Sequence, residues 1–325
     1  MFHWFTFNFL KNSGSFSISE TSAGILQNPV NQMKDCFTIG IKNQSFEIYI
    51  IFAVIETKSN EMEFSQKNIW ITGASSGIGK AVAIELSKEN CFLILSGRNE
   101  AELNIVAGLC RANGSSAQVV PFDLGNENSV TEAAEKVLSQ KIKIDCLFHF
   151  GGISQRSFAH ETPLFVDRKI FEVNYFGTIA LTKAVLPSMI ENGGGHIAVT
   201  SSIVGKFGFP YRSSYSASKQ ALHGFFESLR AENVQQNIRV SIIIPGRIKT
   251  NISVNAINKD GKSHARMDEG QDKGMTAEKS AKIILRKLKK EKKEILLGGT
   301  EVIMVHIRRF LPWLYYRLSS RVKPL

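Results

Sequence analysis

Cysteine is scarce and scattered in this chain. Cys36, Cys91, Cys110 and Cys146 show no Cys-x-x-Cys spacing and no histidine pattern beside them, which argues against a structural zinc or a disulfide framework. They read instead as small core residues of a protein in a reducing compartment, with no metal site and a cytoplasmic location. Long apolar runs are also missing. Phe46 to Ile55 is a ten-residue run that contains Glu47, half of the roughly 20 residues that span a bilayer. Trp4 to Leu10 is interrupted by Asn8 and has no basic cluster before it, which is poor for a signal peptide. No internal repeat is visible. Acidic charge is in deficit, 29 Asp and Glu against 40 Lys and Arg, for a net +11.

Two local patterns carry chemistry. Residues Asn68 to Gly79 read Asn-Ile-Trp-Ile-Thr-Gly-Ala-Ser-Ser-Gly-Ile-Gly. A short apolar strand (Ile69, Trp70, Ile71) enters a turn with three glycines, and Ile78, Val82 and Leu86 then repeat at helical spacing. Such glycines let a backbone approach a pyrophosphate, and the helix behind them offers free N–H groups and a positive dipole end. An ordinary tight strand-to-helix connection is the alternative. Far downstream, Tyr215-Ser216-Ala217-Ser218-Lys219 sets a phenol and an ammonium four residues apart on one helix face. An unperturbed phenol has a pKa of about 10, and a fixed cation one turn away favours the phenolate. A tyrosine tuned this way can exchange a proton with a carbonyl or alcohol oxygen. Taken alone, the spacing is also that of an amphipathic surface pair.

Together these segments resemble the short-chain dehydrogenase/reductase family. Thr72 to Gly79 is similar to its Thr-Gly-x-x-x-Gly-x-Gly cofactor turn, which implies dinucleotide contacts from Gly73, Ser75, Ser76, Gly77, Ile78 and Gly79. Tyr215 and Lys219 match the active-site pair, and Asn174, in Phe171-Glu172-Val173-Asn174, falls at the helix asparagine. Ser202 falls at the active-site serine, thirteen residues before Tyr215 and three before Gly205. Its neighbour Ser201 meets neither spacing and reads as backbone or packing at a strand end. Pro245-Gly246-Arg247-Ile248-Lys249-Thr250 matches the Pro-Gly turn over the nicotinamide, implying contacts from Pro245, Gly246, Ile248 and Thr250. Asp123, followed by Leu124, matches the position that contacts the adenine.

The resemblance covers about Asn68 to Gly298 and implies an α/β, Rossmann-type doubly wound parallel sheet of about seven strands with helices on both faces. It also implies an NAD(P)-dependent enzyme that interconverts a carbonyl and a secondary alcohol, working as a homodimer or homotetramer on a small molecule. In that scheme Tyr215 is the acid/base, and Lys219 lowers its pKa and holds the nicotinamide ribose. Ser202 hydrogen-bonds the substrate oxygen, and Asn174 holds a water that links Lys219 to solvent. The rival reading is a dinucleotide-binding regulator or scaffold of the same fold without turnover.

One motif departs from the family pattern. His149-Phe150-Gly151-Gly152 stands where Asn-Asn-Ala-Gly is usual, and His149 reads as a structural position whose imidazole finds a backbone partner. The next residues, Gly152-Ile153-Ser154-Gln155-Arg156-Ser157, are similar to a membrane-associated branch acting on lipophilic carbonyls. After strand two, Ser96-Gly97-Arg98-Asn99 offers no carboxylate for a ribose 2′-hydroxyl but a guanidinium suited to a 2′-phosphate. NADP(H) is therefore favoured over NAD(H), with Arg98 as the selecting residue.

Strand and helix alternate between the motifs, as in a parallel sheet covered on both faces. The expected strands are Ile69 to Ile71, Cys91 to Ser96, Ala117 to Pro121, Asp145 to Phe150, Gly195 to Ser201, Arg239 to Ile244 and Glu294 to Leu297. The best helix is expected from Tyr215 to Gln235, and a last surface helix from Lys282 to Lys293, with Ile283, Ile284 and Leu288 inward. Three parts follow. Residues 1–61 form a poorly structured extension, read as an over-long translation start, with a targeting segment or membrane anchor as alternatives. Residues 62–299 are the dinucleotide-binding and catalytic domain, whose polar stretch Asn251 to Met275 would be a mobile lid over the substrate. Residues 300–325 are a basic amphipathic tail, kinked at Pro312. From Lys279 to Leu325 there are 13 basic and 3 acidic residues, a net of +10. Aromatic residues with a basic edge describe a helix in a membrane interface, so peripheral membrane contact is one reading, and a tail folded onto the domain or a partner subunit is the other. No nucleic-acid motif accompanies the basic residues, so no nucleic-acid partner is expected.

Overall fold

Ile69, Trp70 and Ile71 are buried in strand β1 (Asn68–Thr72), and they point alternately to two different cores. Trp70 belongs to the core that holds Leu147, Leu181 and Phe226, whereas Ile69 and Ile71 belong to the one that holds Val82, Leu103 and Ile284. A strand apolar on both sides needs cover on both sides, and that requirement organises the rest of the chain. β2 (Phe92–Ser96), β3 (Ser116–Val119), β4 (Cys146–His149), β5 (Gly195–Thr200), β6 (Ile238–Pro245) and β7 (Glu294–Leu297) join β1 in one sheet. Its order is β7-β6-β5-β4-β1-β2-β3, and every pairing is parallel. The winding direction reverses between β1 and β4, and the register sets Thr72 beside both Ser96 and His149. A crevice opens at such carboxyl ends.

The computed structural model describes residues 61–319 and 321, and among the first sixty residues the backbone of four strands. The helices are α1 (Gly77–Leu86), α2 (Glu100–Ala112), α3 (Glu127–Leu138), α4 (Leu164–Phe171), α5 (Gly177–Glu191), α6 (Ser213–Glu232) and α7 (Ala277–Lys289). Side-chain caps start several of them. Asn99, Asn126 and Thr276 accept from the backbone N–H groups of Glu102, Ser129 and Lys279 at 3.1, 3.1 and 3.2 Å. The Thr276 cap explains why α7 starts five residues before the expected Lys282. On its inner face Ile284, Leu285 and Leu288 are buried, while Ile283 is only half-buried.

Two features differ from the sequence reading. Pro312 does not kink a single helix. α8 (Ile303–Phe310) ends at Leu311, and Pro312 opens α9 (Pro312–Ser319), where its missing N–H costs nothing. The extension, read as poorly structured and without strand period, contains strands Phe2–Phe9, Phe16–Ala23, Asp35–Asn43 and Phe46–Val54, paired antiparallel as two hairpins. The alternation in Phe5-Thr6-Phe7-Asn8-Phe9 and the apolar, β-favouring run Ile48 to Ala53 were the local signals. These strands fall in a unit, Met1–Asn60, separate from Glu61–Leu325. The start-site, targeting and anchor readings of that unit lie outside the described residues, as do the side chain of Cys36 and Lys323. The other three cysteines are buried free thiols, and burial pushes each pKa up, that of Cys110 to about 11. Among the described residues no helix is long and apolar enough to cross a membrane.

Candidate active site

Backbone crowding makes the glycine turn. Gly73 takes φ +69°, and a Cβ there would lie 2.6 Å from the Gly151 nitrogen, so no other residue fits without moving the β4 loop. A Cβ on Gly79 would collide with the Gly73 carbonyl. Beyond the turn, α1 begins without a side-chain cap bond from Ser76 and without an acidic residue in its first turn. Its leading N–H groups and dipole end are thus open to an anion, as a bound pyrophosphate requires. A Cβ on Gly97 would stand 3.2 Å from the Ser75 hydroxyl, and the exposed Arg98 follows on the same rim. Asp123 accepts the Gly125 N–H at 2.9 Å. This cradle fits a dinucleotide.

A cavity of about 930 Å³ runs from this turn to Tyr215. All the residues singled out for cofactor contact line it except Gly79, which shapes the turn from behind. Ser202, Tyr215 and Lys219 line it too, while Asn174 does not. Tyr215 and Lys219 meet because α6 carries them one turn apart, the ammonium 6.0 Å from the ring centre. Lys219 donates to the Thr200 carbonyl at 2.8 Å, and burial draws its pKa down to about 8. Burial pushes the Tyr215 hydroxyl the other way, above its ordinary value. A hydrogen bond with Ser202 and the charges of Arg212 and Arg156 offset part of that rise. Ser201 turns away and donates to the Lys219 carbonyl at 2.9 Å, tying the end of β5 to α6.

Asn174 sits in a π turn, Glu172–Phe176, between α4 and α5. Both ends of its amide are engaged. Oδ1 accepts the Ile153 N–H at 2.8 Å, while Nδ2 donates to the Ile153 carbonyl at 2.9 Å and to Ser218 at 3.0 Å. It braces the loop after β4 and one turn of α6. The corner it shares with Lys219 exists because residue 152 is glycine: a Cβ there would stand 3.0 Å from Asn174 Oδ1 and 3.3 Å from Lys219 Nζ. His149 finds a side chain rather than the expected backbone partner, with Nε2 3.0 Å from the Thr182 hydroxyl. Burial and then the Lys219 charge lower its pKa to about 3, so it is a neutral ring.

Several residues of this cavity carry no sequence motif. Arg156, Arg212 and Asp268 form a largely buried charged cluster in its wall, which places the Asn251 to Met275 stretch against the site. The tail supplies Met304, Tyr315 and Leu318. Tyr315 is buried, lies tilted against Phe207 with ring centres 5.6 Å apart, and donates its hydroxyl to the Gly208 carbonyl. Glu301 accepts the Arg247 and Gly299 N–H groups at 2.7 and 3.0 Å, fastening the start of the tail to the Pro-Gly turn. The tail thus packs on the domain along one face. Away from the cavity, His223, Glu227 and Glu294 gather within ligand reach of one another, with Lys206 2.5 Å from Glu294 as the cation there.

Comparison with known proteins gives a consistent answer. The family model described as short chain dehydrogenase matches residues 67–261. Dehydrogenase/reductase SDR family member 7B of Xenopus tropicalis is 37% identical over 287 residues, covering 86% of this chain and 93% of that protein. The SDR family protein 7-like of Drosophila melanogaster is 40% identical over 260 residues, covering 78% and 80%. Among solved structures, an alcohol dehydrogenase from the archaeon Thermococcus sibiricus complexed with 5-hydroxy-NADP is 26% identical with a TM-score of 0.62, covering 73% of this chain and 97% of that one.

Proposed function

Since the chain belongs to the short-chain dehydrogenase/reductase family, and is an oxidoreductase acting on CH–OH groups with a nicotinamide dinucleotide, we propose that it interconverts a carbonyl and a secondary alcohol with Tyr215 as acid/base and NADP(H) as cofactor. The observation that carries the reading is the convergence of Tyr215, Ser202 and Lys219 on the cavity that begins at the glycine turn. When bound, the dinucleotide supplies the hydride chemistry. The chain's own residues orient and protonate. The glycine turn and the α1 N-terminus hold the pyrophosphate, and Lys219 holds the nicotinamide ribose. Ser202 donates to the substrate oxygen as charge grows on it, while Tyr215 moves the proton between its phenol and that oxygen. Asn174 would hold the water that links Lys219 to solvent: its Oδ1 and its backbone carbonyl each accept one bond, from Ile153 and Thr178, and each keeps a second lone pair. Ile153, Ile203, Phe207, Phe209, Met304 and Leu318 in the wall support a lipophilic substrate. Arg98 on the rim supports a 2′-phosphate.

Tyr215→Phe leaves NADPH binding intact and removes turnover. Near wild-type turnover in that variant on any accepted substrate overturns the assignment. The rival, a dinucleotide-binding protein without turnover, would bind NADPH tightly yet oxidise none of it across a broad panel of aldehydes and ketones.

A further inference from the structure

Asp268 lies in the segment between the Pro-Gly turn and α7, yet its carboxylate is buried between guanidiniums from two distant places. Arg156, in the loop after β4, reaches it with Nη2 at 2.6 Å and Nε at 3.1 and 3.2 Å. Arg212, three residues before Tyr215, reaches it with Nη2 at 2.8 Å. Arg156 is held independently, through the Ser154 hydroxyl at 2.8 Å and the Gln155 carbonyl at 2.6 Å. Arg212 has besides Asp268 a stacking contact over the Phe209 ring, 5.1 Å to its centre. Two cations against one carboxylate leave an excess positive charge in the cavity wall that Tyr215 shares.

From this geometry we propose that Arg212 is a second cation serving Tyr215, that Asp268 is the positioning residue holding it there, and that seating the lid and readying the acid/base are therefore one event. The proposal rests on the reading of Tyr215 as acid/base. The groups facing Tyr215 are Ser202 at the end of β5, Lys219 on its own helix, Arg212 at the start of that helix and Arg156 from the β4 loop. On the lid side His264 stands 4.0 Å from Asp268, and on α4 Asp167 is taken up by the Ser214 hydroxyl. Burial drives the Tyr215 pKa up, and the Ser202 bond and the two arginines pull it back. Remove the Asp268 charge and two guanidiniums, that of Arg156 buried and that of Arg212 partly buried, confront each other uncompensated. Arg212, with the fewer other contacts, is the one that leaves.

Near-ultraviolet phenolate absorbance, taken as the difference between each protein and the same protein carrying Tyr215→Phe, titrates Tyr215 without substrate. The midpoint is expected at higher pH in both Arg212→Gln and Asp268→Asn, and close to wild type in Arg212→Lys. With an alcohol and NADP+, the rising limb of kcat/KM against pH moves the same way, and kcat near neutrality falls about tenfold. An unmoved midpoint in Arg212→Gln, or one equally displaced in Arg212→Lys, overturns the role of the Arg212 charge. A midpoint that falls in Asp268→Asn overturns the positioning role, because the carboxylate would then only neutralise. If Tyr215→Phe keeps its turnover, the acid/base reading fails, while the phenolate titration still decides whether Arg212 and Asp268 act on Tyr215.

Discussion

His149 and His196 are built alike, and their construction sets how the protein responds to acid. Each presents Nε2 to a hydroxyl that donates elsewhere: Thr182 gives its proton to the Thr178 carbonyl, and Ser241 to the Lys292 carbonyl. The hydroxyl therefore accepts from Nε2–H, and Nδ1 is left buried without a partner. Burial first, and a nearby cation second (Lys219 for His149, Arg239 for His196), lower both pKa values to about 3. Against an unfolded value of about 6.5, the unfolded chain binds more protons throughout the interval between. Stability is then whole above about pH 6.5 and lost as pH falls toward 3, by roughly 1.4 kcal/mol per pH unit for each ring. Urea unfolding at a series of pH values should show that decline, and the double variant His149→Gln, His196→Gln should flatten it. An identical decline in the double variant would assign the acid sensitivity to other groups, either carboxylates or His223, whose pKa burial also lowers, to about 4. Cofactor selection also rests on one side chain. Arg98→Ala should raise the KM for NADPH much more than that for NADH, and equal effects would leave Arg98 a solvent-facing residue only.

The pair α8 and α9 is where an element changes the meaning of its sequence. Its inner face is part of the cavity wall, so Tyr315→Phe, which removes the bond to the Gly208 carbonyl, should cost about 1 kcal/mol of stability. It should raise substrate KM while leaving the KM for NADPH in place. A KM shift shared by both would mean the helices brace the whole cleft. Why this wall was illegible in the sequence, while the sheet was plain, follows from range. β1 and β6 declare themselves through consecutive apolar residues, and Ser202, Tyr215 and Lys219 lie within seventeen residues of one another, from just after β5 to the start of α6. Asp268, by contrast, meets Arg212 across 56 residues and Arg156 across 112. No local period records such pairings. The same holds for Asn174, whose motif gave its place but not its bonds to Ile153 and Ser218. Tyr315 reads in sequence as one more aromatic residue of a basic tail, and only the fold of loop 207–209 turns it inward.

At the scale of the whole molecule, the positive charge lies to one end of the sequence, and the helices that close the cavity carry part of it outward. Phe310, Trp313 and Tyr316 are 69, 64 and 58% exposed. Arg308 lies over the Tyr316 ring at 5.3 Å and Arg309 over the Phe310 ring at 5.5 Å. Exposed aromatic rings bearing guanidiniums suit the boundary of an anionic bilayer, where each basic residue contributes about 1 kcal/mol and is screened by salt. The protein is therefore expected to co-sediment with anionic vesicles, less so as salt rises. Deleting everything after Gly299 is a poor test of this, because it also removes Met304, Tyr315 and Leu318 from the cavity. Replacing Phe310, Trp313 and Tyr316 together by serine strips the outer face and spares the inner one. Sedimentation should then be lost while turnover of a water-soluble carbonyl persists. Loss of turnover along with sedimentation would mean that the outer rings hold the wall in place. Sedimentation that survives the triple substitution would move the contact off these helices, and sedimentation indifferent to salt would remove the arginines from the account.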